Sequence, residues 1–259
     1  MNPNLKLPSI ATESIERATQ LLSDCVTTGS LGVLTGPNGS GKTEALKALV
    51  GRYPKIGTKG TALYFRCCLL KSHTRGLKDL AEAMGRKLFS GSNSTGSVQF
   101  AIRTCIHEME RQDITALFLD DADLWSHEVL ENVVALRDKA HEKGWPLVII
   151  LAGASNPDNW LGRVASARSR TLKVEVFHDL DPGEMLGVLR SWNPVFEVFA
   201  QAVAEGEKKA EKCARTIHSH TKGNMRRLSY FALLYAAHAG EAPVSPETLE
   251  KVLPHLSAA

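Results

Sequence analysis

Leu31-Gly-Val-Leu34, a short apolar run, leads through Thr35 into the octet Gly36-Pro37-Asn38-Gly39-Ser40-Gly41-Lys42-Thr43. The octet, here called the phosphate loop, fits the pattern G-x-x-x-x-G-K-[ST] at every fixed position. Its glycines let the backbone turn N–H groups inward around phosphate oxygens. Lys42 is placed to reach the β- and γ-phosphates, and the Thr43 hydroxyl to hold Mg²⁺. Residues 44–50 read as a helix whose positive end points at the same anion. The sequence therefore predicts that the eight loop residues bind a nucleoside triphosphate, ATP, with Mg²⁺.

The amino-acid composition limits the classes of protein to which the chain can belong. The 259 residues are 43% hydrophobic and 23% charged, which is typical of a globular protein. No stretch approaches the roughly 20 apolar residues that span a bilayer, and the first residues do not lead us to expect a signal peptide. The five cysteines include no C-x-x-C pair, which favours a reducing cytoplasm without disulfides or structural zinc. A net charge of +3 means that any nucleic-acid binding must rest on local patches. We expect a cytoplasmic protein without a membrane partner.

Apolar runs that alternate with helical patterns predict the fold class. The core runs are apolar on both faces, so we expect an α/β fold with a five-stranded, mostly parallel sheet that helices cover on both sides. After residue 177 only helical patterns follow, starting with the capping sequence Asp181-Pro182-Gly183-Glu184. A nucleotide-binding domain over 1–178 and a helical domain over 179–259 are expected. The predicted strands are 31–34, 61–66, 114–119, 147–151 and 171–177, and the predicted C-terminal helices are 182–191, 194–219 with a break near Gly206, 224–238 and 246–254.

Two acids end the third predicted strand. Ala116-Leu-Phe-Leu119 runs directly into Asp120-Asp121. Phosphoryl transfer needs a carboxylate near Mg²⁺ and a group that orients the attacking water. We assign Asp120 to the metal and Asp121 to the water, as general base. The alternative is a plain strand end that is capped by acids.

Arginines without acidic neighbours mark a later segment, Arg163-Val-Ala-Ser-Ala-Arg168-Ser-Arg170. A solvated helix face normally mixes charges of both signs, so this arginine segment predicts an anionic partner outside the subunit. Further on, Gly223-Asn-Met-Arg226 opens a helix, where an arginine is unfavourable unless an anion is present. The alternatives are a solubilising or DNA-facing cluster and an ordinary basic helix start.

Together with the phosphate loop and Asp120-Asp121, these segments resemble an AAA+ ATPase. The resemblance implies that Asn156 or Ser155, after the fourth strand, senses the γ-phosphate, although this stretch also reads as a plain turn. It implies that Arg168, or else Arg163 or Arg170, completes the site of a neighbouring subunit in a homo-oligomer. Arg226 would contact the γ-phosphate from the helical lid. The family has Glu where this chain has Asp121, which puts the rate of hydrolysis in question.

Within that family, the chain is most similar to the DNA-transposition regulators of the TnsC, TniB and MuB type. The matching features are Gly41-Lys-Thr-Glu-Ala45, Leu119-Asp-Asp-Ala-Asp-Leu124, the arginine segment and Gly223-Asn-Met-Arg-Arg-Leu228. The resemblance implies a ring or helical filament on duplex DNA that marks target DNA, with a transposase and a target-selection protein as partners. The residues that would contact the DNA backbone are Lys71, Ser72, His73, Thr74, Arg75 and Thr95.

Two other functions stay open on the sequence. One is an AAA+ protein that remodels or scaffolds a protein partner without touching DNA. The other is a monomeric P-loop kinase that acts on a small molecule, although the arginine segment and the all-helical end speak against it.

Overall fold

The order of secondary-structure elements follows the alternation of the sequence. The structure, a computed structural model, describes residues 12–56, 59–69, 75–85, 98–154, 156–162 and 164–256. In these ranges, each strand up to residue 176 is followed by one or two helices before the next strand, and the elements described after residue 176 are all helices. No helix within these ranges is long and apolar enough to cross a membrane.

A single parallel sheet forms the centre of the first part. Its strands are β1 (Leu31–Thr35), β2 (Thr61–Arg66), β3 (Ile114–Asp120), β4 (Val148–Gly153) and β5 (Thr171–Val176). They lie in the order β2-β3-β4-β1-β5, and each neighbouring pair is parallel. The predicted five-stranded α/β sheet is confirmed. Because the strands are parallel, the phosphate loop after β1 and the acids at the end of β3 leave the sheet at the same edge.

The helices that the sequence predicted have observed bounds close to the predicted ones. The helix after the phosphate loop begins at Lys42 rather than Glu44, and the predicted helix 194–219 is broken at Gly206, which has a φ of 82°. In the described ranges the helices are α1 (Glu13–Thr28), α2 (Lys42–Arg52), α3 (Arg75–Ala83), α4 (Val98–Gln112), α5 (His127–Glu142), α6 (Pro157–Trp160), α7 (Ala165–Arg170), α8 (Pro182–Trp192), α9 (Pro194–Ala204), α10 (Lys208–Thr221), α11 (Met225–His238) and α12 (Pro246–Leu256).

Helices cover both faces of the sheet because successive strand residues point to opposite sides. On β3, Ala116 and Phe118 pack with residues of α1 and α2. Leu117 and Leu119 pack with residues of α3, α4 and α5 on the other face. All seven residues of β3 are buried, so the strand carries its terminal carboxylate, Asp120, on a rigid support.

The chain divides into two compact units. The α/β unit comprises residues 13–36 and 42–177, and the helical unit comprises, of the described residues, Thr12, 37–41 and 178–256. The tip of the phosphate loop therefore belongs to the same unit as α8–α12. The core of this unit includes a cluster of three aromatic rings with centroids 5.2 to 6.0 Å apart, contributed by Phe196, Phe231 and Tyr235. The division into functional domains at residue 178 stays a prediction.

Helix α8 begins as its sequence predicts. Asp181 Oδ1 accepts a hydrogen bond from the Glu184 N–H at 2.8 Å, and Glu184 Oε2 accepts one from the Asp181 N–H at 3.1 Å. Such a reciprocal cap satisfies two N–H groups that a helix start otherwise leaves without partners. The start of α8 is thus fixed locally by four residues.

Candidate nucleotide site

The backbone of the phosphate loop has the shape that its glycines allow. Gly39 and Gly41 have φ angles of 84° and 100°, which other residues rarely adopt. Ser40 lies between them, and its Oγ is buried without a hydrogen-bond partner among the described residues. Buried hydroxyls normally have a partner. The conformation and this unsatisfied hydroxyl both fit a bound phosphate group.

Lys42 and Thr43 form the first turn of α2. The Lys42 side chain is buried and its Nζ donates to the carbonyl of Gly36 at 2.8 Å. The ammonium group is therefore folded back over the start of the loop. The N-terminus of α2 adds its own partial positive charge beside it.

The Asp120 carboxylate accepts hydrogen bonds from three residues of the α/β unit. The residue is 1% exposed, and its Oδ2 accepts from Thr43 Oγ1 at 2.7 Å and from the Tyr64 hydroxyl at 2.8 Å. Its Oδ1 accepts from the Asp121 N–H at 3.1 Å. The structure thus brings together Thr43 and Asp120, the two predicted magnesium ligands. A hydroxyl and a carboxylate are the oxygen donors that Mg²⁺ prefers, so the pair fits the metal.

Tyr64 is a site residue that sequence reasoning missed. It lies on β2, and burial, followed by its hydrogen bond to Asp120, raises the pKa of its hydroxyl above the ordinary value. The hydroxyl therefore remains a donor to Asp120 at neutral pH. No local pattern in the sequence identifies Tyr64, because the order of the strands, with β2 next to β3, cannot be predicted from such a pattern.

Asp121 is engaged by a second missed residue, Arg66. The Arg66 Nε lies 2.8 Å from Asp121 Oδ2, and Arg66 stands opposite Asp120 in the pairing of β2 with β3. The hydrogen bond and the negative charge of Asp121 raise the pKa of Arg66. Asp121 itself has a φ of 55°. Its predicted role as general base remains a prediction, and in this arrangement its carboxylate is held by a cation.

The polar groups after β4 have local partners. Asn156 is the N-cap of α6, where its Oδ1 accepts from the Asp158 N–H at 3.0 Å, and it is exposed. Ser155 lies outside the described residues. Asp123 Oδ2 accepts from the Ala154 N–H at 3.1 Å and so ties the turn after β3 to the end of β4. The sensor role of Asn156 stays a prediction beside this observed capping role.

The arginine segment is less uniform than its sequence indicated. Arg170 makes two contacts with Asp138 of α5, Nε to Oδ1 at 2.8 Å and Nη2 to Oδ2 at 2.7 Å. The expectation of three unpaired arginines is therefore wrong for Arg170, because its acidic partner lies elsewhere in the sequence. Arg168 is exposed, and no acidic side chain in the described part of the chain pairs with it. Arg163 lies outside the described residues.

In the helical unit, the start of α11 meets the tip of the phosphate loop. The Arg226 N–H donates to the Gly39 carbonyl at 3.2 Å, and the Asn224 side chain donates to the Asn38 carbonyl at 2.8 Å. The Arg226 side chain is exposed and lines a cavity of about 370 Å³. The residues around this cavity are Asn38, Asp179, Thr221, Lys222, Asn224, Arg226, Arg227, Tyr230 and Leu256.

Most of the predicted DNA contacts fall outside the described residues. This applies to Lys71, Ser72, His73, Thr74 and Thr95. Arg75 is the first residue of α3, and its Nε lies 2.6 Å from Asp79 Oδ1. Its side chain is 56% exposed, so a surface remains available for an anion.

Comparisons with known proteins identify the fold. A family model described as an AAA domain matches residues 26–161, just over half of the chain. Cdc6p from Pyrobaculum aerophilum has a TM-score of 0.70 and 17% identity, covering 98% of this chain and 70% of that one. The Aeropyrum pernix ORC1 protein, solved in complex with DNA, has a TM-score of 0.62 and 18% identity, covering 99% and 67%. Domain III of the Thermotoga maritima replication initiation protein DnaA has a TM-score of 0.58 and 16% identity, covering 99% and 98%. A comparison with curated proteins gave no significant match.

The matched segment contains the parts that define a phosphate-binding ATPase. Residues 26–161 include the phosphate loop, the Thr43–Asp120 pair and Asp121. The structural similarities at 16–18% identity establish the fold alone. With the family match, they make the chain a member of the AAA domain family, a nucleotide-binding P-loop ATPase.

Proposed function

We propose that this ATPase is an ATP-dependent, DNA-binding regulator of DNA transposition that assembles on duplex DNA, marks the target and recruits a transposase. The observation that supports assembly into a homo-oligomer is the contrast between Arg168 and Arg170. Arg170 is tied to Asp138, whereas Arg168, on the same short helix, is exposed and has no acidic partner in the described part of the chain. An arginine supplied by a neighbouring subunit stabilises the charge that develops during phosphoryl transfer.

The residues of the site divide the chemistry between them. Lys42 would bind the β- and γ-phosphates, and Thr43 with Asp120 would hold Mg²⁺, which when bound neutralises phosphate charge. Asp121 would accept a proton from the attacking water once its carboxylate leaves Arg66. Arg226 and Asn156 would contact the γ-phosphate, and Arg168 would complete the site of the next subunit.

Binding to DNA is supported by the composition of the sequence around α3. Lys71, Ser72, His73, Thr74, Arg75 and Thr95 combine cations with hydroxyl groups, which suit contacts with phosphates rather than with base edges. The ORC1 protein, which has a similar fold, was solved in complex with DNA. The more specific role, with a transposase and a target-selection protein as partners, rests on the sequence resemblance to the transposition regulators.

The test is assembly on a DNA duplex. Purified protein is incubated with duplex DNA and a non-hydrolysable ATP analogue, and its size is measured by sedimentation and negative-stain microscopy. We expect oligomers that require the analogue and that lose DNA steeply as salt rises. Protein that stays monomeric and leaves the duplex unbound would contradict the proposal. Binding to a protein partner without DNA would favour the remodelling function instead.

The proposed DNA contacts can be tested against a matched control. The double variant Lys71→Ala with Arg75→Ala should weaken retention of duplex DNA in the presence of the ATP analogue. Arg111 and Arg75 are both 56% exposed and both pair within a helix, and Lys139 is 57% exposed. The double variant Lys139→Ala with Arg111→Ala removes the same charge elsewhere and should retain DNA. Equal retention by both double variants would show that Lys71 and Arg75 do not contact DNA.

The transposition role needs its own measurement. With a candidate transposase and a target plasmid, insertion should require this chain and should fall when Lys42 is changed to Ala. Insertion at the same frequency with the Lys42→Ala variant would contradict a role for this ATPase in transposition, while leaving DNA binding untouched.

A further inference from the structure

Two successive carbonyl groups at the tip of the phosphate loop are held by donors from the start of α11. The Asn38 carbonyl accepts from Asn224 Nδ2 at 2.8 Å. The Gly39 carbonyl accepts from the Arg226 N–H at 3.2 Å. All four residues belong to the helical unit. The loop tip is therefore anchored by the part of the chain that follows the sheet.

Holding a carbonyl also fixes an N–H group. A peptide group is planar and trans, so its N–H points opposite to its C=O. The Asn38 carbonyl shares a peptide group with the Gly39 N–H, and the Gly39 carbonyl shares one with the Ser40 N–H. The Ser40 N–H closes the turn onto Pro37 O at 3.3 Å. The Gly39 N–H is thus aimed by the contact between Asn224 and the Asn38 carbonyl.

A phosphate loop needs this arrangement. Its N–H groups must face the anion while its carbonyls face away, and carbonyls that turn away need donors of their own. Asn224 supplies one of them. The fit is close, because a Cβ added at Gly39 would lie 2.4 Å from Asn224 Oδ1. The glycine therefore allows the approach of the Asn224 side chain as well as the positive φ.

Asn224 has a separate structural role that must be distinguished from this contact. It is the N-cap of α11, and its Oδ1 accepts from the Arg227 N–H at 3.4 Å. Its Nδ2 also lies 3.3 Å from Asp179 Oδ1. The cap uses the oxygen of the side chain and the loop contact uses the nitrogen, so substitution can separate them.

We propose that Asn224 is a positioning residue for nucleotide binding. Its side-chain amide orients the peptide group between Asn38 and Gly39, so that the Gly39 N–H faces the phosphate. Nucleotide affinity then depends on the position of the first turn of α11. The proposal rests on nucleotide binding by the phosphate loop, and it does not depend on DNA binding or on transposition.

The decisive variant is Asn224→Ser. Serine keeps an acceptor for the cap, remains neutral and is too short to donate to the Asn38 carbonyl. We expect a dissociation constant for a fluorescent ADP analogue about two- to tenfold higher than in the wild type, the range that one lost hydrogen bond gives. The melting temperature without nucleotide should stay close to that of the control variant below.

The control is Asn193→Ser. Asn193 caps α9 in the same unit, where its Oδ1 accepts from the Val195 N–H at 2.9 Å. This variant should bind the ADP analogue as the wild type does. Equal affinity of Asn224→Ser, Asn193→Ser and wild type would overturn the proposal, and so would an equal loss of affinity in both variants.

A second measurement needs no nucleotide. Amide hydrogen exchange of residues 36–43 should be faster in Asn224→Ser than in Asn193→Ser, because the peptide group before Gly39 is no longer held. Asn224→Thr, which keeps a neutral acceptor for the cap and is too short to donate to the Asn38 carbonyl, should give the same result and serves if the serine variant is unstable. Unchanged exchange in both Asn224 variants would contradict the proposed positioning.

Discussion

Arg66 Nε lies 2.8 Å from Oδ2 of Asp121, so the carboxylate assigned as general base is held by a cation from the adjacent strand. A carboxylate oxygen held by a guanidinium has to leave that partner before it can accept a proton from water. Asp121 also has a φ of 55°, a conformation that Asp and Asn tolerate better than most residues. In this structure the carboxylate of Asp121, the predicted proton acceptor, is therefore held by its ion pair with Arg66.

Releasing this carboxylate should increase turnover. Arg66→Gln removes the charge, and we expect the basal rate of ATP hydrolysis to rise by about two- to fivefold, a modest factor because the ion pair is exposed to solvent. Phosphate release under saturating Mg-ATP measures it. Arg111→Gln, which breaks a comparable ion pair with Glu108, should leave the rate unchanged. A lower rate in Arg66→Gln would mean that Arg66 assists hydrolysis.

Removing the basic oxygen should stop the reaction. Asp121→Asn keeps the size of the side chain and tolerates the positive φ, so the fold should be retained. Loss of a general base lowers the rate by about 10²- to 10⁴-fold. The affinity for ATP should stay close to that of the wild type, because Lys42 and Asp120 are unchanged. Single-turnover hydrolysis and a fluorescent-nucleotide titration separate the two quantities, and rapid hydrolysis by this variant would rule out Asp121 as the base.

Tyr64 predicts a difference in stability at alkaline pH. Burial, and then the hydrogen bond to Asp120, raises its pKa in the folded protein above the ordinary value of 10.0. The unfolded chain therefore loses this proton first, and the stability from Tyr64 is complete below pH 10 and is lost as the pH rises above it. From about pH 9 to pH 11, the melting temperature should fall less steeply in Tyr64→Phe than in the wild type. Parallel curves would contradict the raised pKa.

Two inactive variants should complement each other if Arg168 acts on a neighbouring subunit. Lys42→Ala keeps Arg168 and loses its own loop function, whereas Arg168→Ala keeps an intact loop. Each alone should be nearly inactive, and an equal mixture should recover about a quarter of wild-type turnover by random assembly. Arg170→Ala is the control, since it should lower the melting temperature by removing the contact with Asp138 but retain turnover. Full activity of Arg168→Ala alone would exclude this role.

Thiol reactivity tests the packing of the α/β unit. Cys68 is exposed, whereas burial raises the pKa of Cys25 and of Cys105 to about 12. Because the thiolate is the reactive form, a soluble maleimide should label native protein at Cys68 first. Peptide mass spectrometry identifies the site, and Cys68→Ser should abolish the fast phase. Fast labelling of Cys25 or Cys105 would show that α1 or α4 opens readily.

Local patterns were sufficient to predict the fold class, and they supplied the predicted site residues of the phosphate loop and of the end of β3. The spacing of apolar residues located the strands, since a buried parallel strand such as β3 is a short run that is apolar on both faces. The order of residues in the octet from Gly36 to Thr43 was enough to predict the phosphate loop. The contact between Thr43 and Asp120 followed because the ends of parallel strands share one edge of the sheet.

The chain by itself thus determined the α/β class, the phosphate loop and the two acids after β3, because each depends on neighbours a few residues apart. Only the tertiary structure decided which distant side chains meet these groups. Tyr64 and Arg66 reach Asp120 and Asp121 across 56 and 55 residues, Arg170 reaches Asp138 across 32, and Asn224 reaches Asn38 across 186. Strand order and helix packing set those distances, and they result from the burial of the whole core rather than from any local pattern of residues.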